Sequence, residues 1–212
     1  MEDAPLYKQR HKYTRELHEV HLHGNHKLHV LCTSKGKDVD KMLSTFRRKL
    51  GGMPVKLVGV DVEYTHYEKP QRAAELELCI EKECLVYHIS AAKYSKLNVS
   101  GLEINSDNYI DIQVEWRDLY NKKKFDSLAD IAGRMIDIQY HDMKKEINRK
   151  EDHTLWGFCL LPEKLIKYAV IDAFATYESW RIIYDVIMGL DRAKSDKEAK
   201  KKKNKAVIQY SN

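Results

Sequence analysis

No stretch of this 212-residue chain is apolar for more than a handful of residues, so no membrane-spanning helix is expected. The opening residues Met1-Glu2-Asp3-Ala4-Pro5 lack the charged-then-apolar order of a secretory signal, which points to a nuclear or cytoplasmic protein. The four cysteines, Cys32, Cys79, Cys84 and Cys159, show no Cys-x-x-Cys spacing, and three of them fall in strand-like apolar stretches. They read as buried free thiols in preference to disulfides or zinc ligands. Net charge is also lacking over most of the chain. Residues 1–190 carry 29 basic and 29 acidic side chains, and the formal +5 comes from residues 191–212 alone. A neutral body gives no bulk-charge support for phosphate binding, although clustering on one face stays open.

What is present suffices for one well-buried core: 43% of the residues are hydrophobic. The expected organisation is an N-terminal extension over 1–17, a single domain over 18–190 and a Lys-rich, disordered tail over 191–212. Within the tail, Lys200, Lys201, Lys202 and Lys203 are the candidate polyanion contacts. The domain opens with a predicted hairpin, Glu19 to His23 and His26 to Thr33, about a Gly24-Asn25 turn in which Gly supplies the positive φ. Six of the ten histidines, His11, His18, His21, His23, His26 and His29, lie within nineteen residues here. Metal ligation is conceivable, but alternation along exposed strand edges accounts for the spacing without it. Met42, Leu43, Phe46 and Leu50 then recur at helical spacing over 38–50, and Gly51-Gly52 should end that helix.

A strand is expected from Lys56 to Tyr64. Its alternation puts Val58, Val60 and Val62 on one face, and Gly59, Asp61 and Glu63 on the other. Two carboxylates side by side at the end of an apolar strand repel unless a cation sits between them. Two further strands, 74–80 and 84–89, complete an antiparallel meander about the polar turn Glu81-Lys82-Glu83. Ser127 or a neighbouring Asp caps a helix near Leu128. A last long helix runs from Pro162 to about Met188, stopped by Gly189, with Tyr168 and Asp172 one turn apart on one face.

In this order, Val58 to Glu63, the two meander strands, Ser127-Leu128-Ala129, and Trp156 through Leu161-Pro162 to Tyr168-Ala169-Val170-Ile171-Asp172-Ala173 resemble DEDDy-type 3′–5′ exonucleases, Werner-type exonuclease domains above all. The likeness covers residues 18–188. It implies an α/β, ribonuclease H-like mixed sheet flanked by helices, and a two-metal nuclease of DNA or RNA using Mg²⁺ or Mn²⁺. By resemblance, Asp61 bridges both ions, Glu63 and Asp172 hold the ion that activates water, and Tyr168 positions that water.

The chain departs from the family between Ile89 and Ile110. Twenty residues stand there in place of a helix, a strand, a second acidic motif and another helix. A parallel crossover takes roughly a dozen residues, so one fits and two do not. In one alignment the third catalytic Asp is deleted and Tyr109-Ile110-Asp111-Ile112 is the downstream strand. In the other, Gly101-Leu102-Glu103-Ile104-Asn105-Ser106-Asp107 is the motif and Asp107 is the ligand, set in a polar turn without its helix. Deletion is preferred. Tyr64 also replaces the usual Trp, and Glu77 stands where the family tends to have Gln. The expectation is weak or lost catalysis, with a non-catalytic module binding nucleic acid or a protein partner as the alternative.

Overall fold

In a computed structural model the chain is described over residues 12–66, 71, 73–89, 109–116, 124–125, 127–145, 152–157 and 160–209. The Gly101 to Asp107 segment, and Cys159, lie outside these residues. The architecture is α/β, a five-stranded mixed sheet in the order β1-β2-β5-β4-β3 with helices on its two faces. Strand β1 (Thr14–His21) and β2 (Lys27–Thr33) form the expected hairpin, and β3 (Gly59–Tyr64), β4 (Ala73–Ile80) and β5 (Glu83–His88) form the expected meander. The single parallel pairing is β2 with β5. It joins the hairpin to the meander and requires the crossover that α1 (Gly36–Gly51) provides.

Alternation decides which side chains meet which helix. Leu31, Leu78, Ile80, Leu85 and Tyr87 face α1, where Met42 and Phe46 are buried among them. Val30, Cys32, Cys79, Cys84 and Val86 face the long helix α4 and pack with Leu165, Ile166, Ala169 and Ala173. Cys32, Cys79 and Cys84 are buried free thiols, and Cys79 sits directly across from Cys84 in the β4–β5 ladder.

Several boundaries differ from expectation for local reasons. At the hairpin tip, residues His23–Asn25 make a turn of 3-10 helix, and Asn25, not Gly24, takes the positive φ, at 60°. The tip is held from outside the hairpin, because His23 and His26 both pack edge-on against Tyr140, whose hydroxyl donates to the His23 carbonyl at 3.2 Å. Residues Tyr109 to Asp111 are not a strand. The Asp111 carboxylate accepts from the backbone N–H of Gln113 and Val114, which caps the short helix α2 (Ile112–Glu115) and turns the chain there. Helix α3 (Leu128–Met135) begins at the expected cap, with Ser127 Oγ accepting from the Asp130 N–H.

The last helix, α4 (Glu163–Gln209), does not stop at Gly189. A helical glycine costs only about 1 kcal/mol relative to alanine, and the Ala, Lys, Glu and Arg residues that follow are strong helix formers. The stretch expected to be disordered is therefore helical to Gln209, with the side chains beyond Gly189 outside the described ones. Among the described residues no helix is long and apolar enough to cross a membrane.

Candidate metal centre

The site is assembled by one close approach. A Cβ built on Gly59 would lie 2.0 Å from the Ala173 carbonyl oxygen and 2.8 Å from Tyr177 Cβ. Only glycine lets α4 lie this tightly on β3. The chemistry appears on either side of this approach: Asp61 and Glu63 follow Gly59 on the same face of β3, and Asp172 precedes Ala173 on α4. Ligand oxygens of Asp61, Glu63 and Asp172 all lie within 4.8 Å of one another. The convergence expected of residues more than a hundred positions apart is present.

The ladder adds two more acids. Glu77 pairs with Asp61 and Glu75 with Glu63 across β3 and β4, so both point to the same face, and both are fully buried. Glu75 is engaged by His88, whose Nδ1 lies 2.6 Å from its Oε1. Neither oxygen of Glu77 has a hydrogen-bond partner among the described residues. Crowding of this kind moves the equilibria upward. Burial first, then the Asp61 charge, raises Glu63 to about 8 against the attraction of Lys144. Burial, with Asp61 again adding, raises Asp172 to about 7 despite Lys144. Burial and Asp61 push Glu77 well above the carboxylate range.

Among the described residues, the cation facing these acids is Lys144, which nothing in the sequence singles out. Its ammonium donates to Asp172 Oδ2 and sits 4.5 Å from the centroid of the Tyr168 ring. Burial would lower its pKa, but the Asp172 charge and hydrogen bond outweigh that, so the ammonium stays protonated. Buried Tyr140 and Met143 fix the segment that delivers it. The same tyrosine ring is bounded by His153, at 5.5 Å and edge-on, and by Trp156 at 6.0 Å. Burial raises the Tyr168 hydroxyl's pKa, so it remains a hydrogen-bond donor. In sequence, Met143-Lys144-Lys145-Glu146 is indistinguishable from any solvated charged stretch.

The centre closes one end of a cleft of about 660 Å³ along the outer edge of β3. Lys56, Val58, Val60, Tyr109, Thr176 and Trp180 line it, beside Asp61, Lys144 and Asp172. Asp111 reaches the cleft as well, with its carboxylate committed to capping α2. Among the described residues, then, three carboxylates and not four form the ligand group. Their all-oxygen donor set suits a hard divalent cation, and Asp172 Oδ1, buried and without a partner, is the atom such an ion would satisfy. Asp107 lies outside the described residues, as do the side chains of Lys200, Lys201, Lys202 and Lys203 on α4.

The histidine-rich hairpin holds a second group, Glu16, His18 and His29, with ligand atoms within 4.8 Å. Both ring nitrogens of His29 are already engaged, Nδ1 by Glu83 at 2.8 Å and Nε2 by Glu16 at 2.9 Å, and His18 stacks on the ring at 4.9 Å with a 10° tilt. Near-parallel rings direct their lone pairs along parallel planes, not toward a shared ion. The Glu83 hydrogen bond raises the His29 pKa, and the ring bridges the β1 and β5 carboxylates.

No protein-family model matches the chain, and no curated protein matches it.

Proposed function

We propose that this chain is a DEDDy-type 3′–5′ exonuclease-like protein on a ribonuclease H-like fold, of DNA or RNA, with weak or lost catalysis. The observation that carries the reading is the convergence of Asp61, Glu63 and Asp172 within 4.8 Å, with Tyr168 one helical turn before Asp172. Asp61, Glu63 and Asp172 would hold Mg²⁺ or Mn²⁺. When bound, the metal would lower the cost of forming charge on the attacking and leaving oxygens of a phosphodiester. The Tyr168 hydroxyl, kept protonated by burial, would orient the attacking water. The cleft has the volume of a small-ligand site and would take the terminal nucleotide, with Tyr109 and Trp180 as stacking surfaces and Lys56 near the backbone. Nucleic acid of this kind would be met in the nucleus or cytoplasm.

Impaired catalysis is read from the shortened stretch between Ile89 and Ile110 and from Lys144, which is bonded to Asp172 where charge compensation would otherwise be left to metal. Two-metal chemistry loses orders of magnitude when one ion is misplaced. The second reading, a non-catalytic module that binds nucleic acid or a protein partner, draws on that Lys144–Asp172 pair.

Labelled DNA and RNA oligonucleotides, incubated with Mg²⁺ or Mn²⁺ beside Asp61→Ala and Asp107→Ala, decide between them. Slow 3′-end trimming that Asp61→Ala abolishes is the expected outcome. Robust trimming lost in both variants would establish Asp107 as the fourth ligand and end the impaired reading. Equal inertness of wild type and Asp61→Ala, with oligonucleotide binding retained, would leave the non-catalytic module.

A further inference from the structure

The carboxyl groups of Asp61, Glu63, Glu75, Glu77 and Asp172 face one another between β3, β4 and α4, a crowding that a folded chain holds only by taking up protons or by pairing with cations. His88 engages Glu75. Lys144 is bonded to Asp172, attracts Glu63 and rests on the Tyr168 ring. Its side chain is 34% exposed while that of Asp172 is 8% exposed, so the ammonium is the more accessible of the pair and lines the cleft beside Asp61 and Asp172. A divalent ion bound among oxygens that lie within 4.8 Å of each other would stand a few ångströms from that ammonium. At such range two cations in a partly buried site repel strongly.

We propose that Lys144 is a built-in counter-cation of the acidic centre, exchangeable with a divalent metal: the ammonium holds the cluster together in the metal-free protein, and metal enters by displacing it from Asp172. The inference rests on the metal-site reading given above. Its consequence is a chain that folds without metal and binds metal weakly, since apparent affinity falls with the fraction of molecules in which Lys144 has left the carboxylate.

The test compares wild type with Lys144→Met, which keeps the unbranched stem of the side chain, one atom shorter, and removes its charge. Calorimetric titration with Mn²⁺ should show Lys144→Met binding about tenfold or more tightly than wild type. Adding Asp61→Ala should abolish that binding. In chelator, Lys144→Met should melt below wild type and recover on addition of Mn²⁺, while wild type changes little. The wild-type protein offers a check that does not depend on the variant folding: acylation of lysine amines read by peptide mass spectrometry. Lys144 should be labelled several-fold more at saturating Mn²⁺, with Lys27 and Lys49 unchanged. Equal Mn²⁺ affinity in wild type and Lys144→Met, lost in both with Asp61→Ala, would leave the metal site standing and overturn the role given to Lys144. Lys144 labelling indifferent to bound Mn²⁺ would overturn it too. Absence of Mn²⁺ binding in every variant would remove both readings together.

Discussion

A carboxyl group that folding drags out of water makes stability depend on pH, and Glu63 is the residue on which this dependence can be worked out. Its pKa rises from an ordinary 4.5 to about 8 in the folded chain. The folded state therefore holds a proton over that window that the unfolded chain has released. The favourable contribution is complete below about pH 4.5 and disappears as pH rises through about 8, so in chelator the protein should be more stable at pH 5 than at pH 8, by on the order of a few kcal/mol. Asp172, raised to about 7, steepens the same slope. Urea denaturation at the two pH values measures it, and Glu63→Gln should flatten it. A flat wild-type profile would mean that these acids are not crowded as described. Asp61, Glu63, Tyr168 and Asp172 were legible in the sequence through the order of the segments that carry them, since an Asp-x-Glu pair and a Tyr-x-x-x-Asp spacing are each weak signals alone. Lys144 was not legible. Its role comes from the burial of Tyr140 and Met143 and from the fold that lays their segment against α4, and a lysine among lysines carries no local mark of either.

At the scale of elements, the interface between β3 and α4 sets the geometry of the centre, and Gly59 sets the interface. Alanine there would place its Cβ 2.0 Å from the Ala173 carbonyl oxygen, and backbone cannot rotate out of the way. Helix and strand must separate, so Gly59→Ala should lose about 3 kcal/mol or more in urea denaturation and should weaken Mn²⁺ binding even at temperatures where it stays folded. Gly189→Ala is the contrasting case. Nothing lies within 4 Å of its added Cβ and the position is helical, so that change should gain about 0.5–1 kcal/mol or be neutral. A neutral Gly59→Ala would mean that α4 does not lie on β3 as closely as described. The hairpin, the meander and the amphipathic α1 were readable because each is fixed by residues close in sequence: alternation, a polar turn, a helical stripe. The parallel pairing of β2 with β5 was not, since its partners are some fifty residues apart and either strand would satisfy its own alternation elsewhere. The end of α4 was misread for the opposite reason. A local stop signal, Gly189, was weighed more heavily than the helix propensity of everything after it.

For the molecule as a whole, the decisive asymmetry is electrical. The acidic centre sits in a body of zero formal charge, while all of the net +5 lies in the final twenty-two residues, on the extension of the helix that carries Asp172. A polyanion approaching the cleft meets Asp61, Asp111 and Asp172 on its walls, with Lys56 and Lys144 beside them. On the nucleic-acid reading proposed above, attraction to phosphates would fall to the end of α4, where Lys200, Lys201, Lys202 and Lys203 are the densest basic run. Divided in this way, affinity and cleavage should be separable. Truncation after Gly189 should leave the melting temperature nearly unchanged, because among the described residues the hydrophobic clusters draw on α4 no further than Ile187. Binding of a single-stranded oligonucleotide should fall steeply in the truncated chain. The salt dependence of the remaining affinity should flatten too, by about 0.7 in the slope of log affinity against log salt for every phosphate the tail no longer neutralises. Fluorescence anisotropy at several salt concentrations supplies both quantities. An unchanged slope after truncation would move the phosphate-binding cations back to the body, where Lys56 at the mouth of the cleft is the first residue to substitute, and would show that a chain with no net charge still gathers its cations on one face.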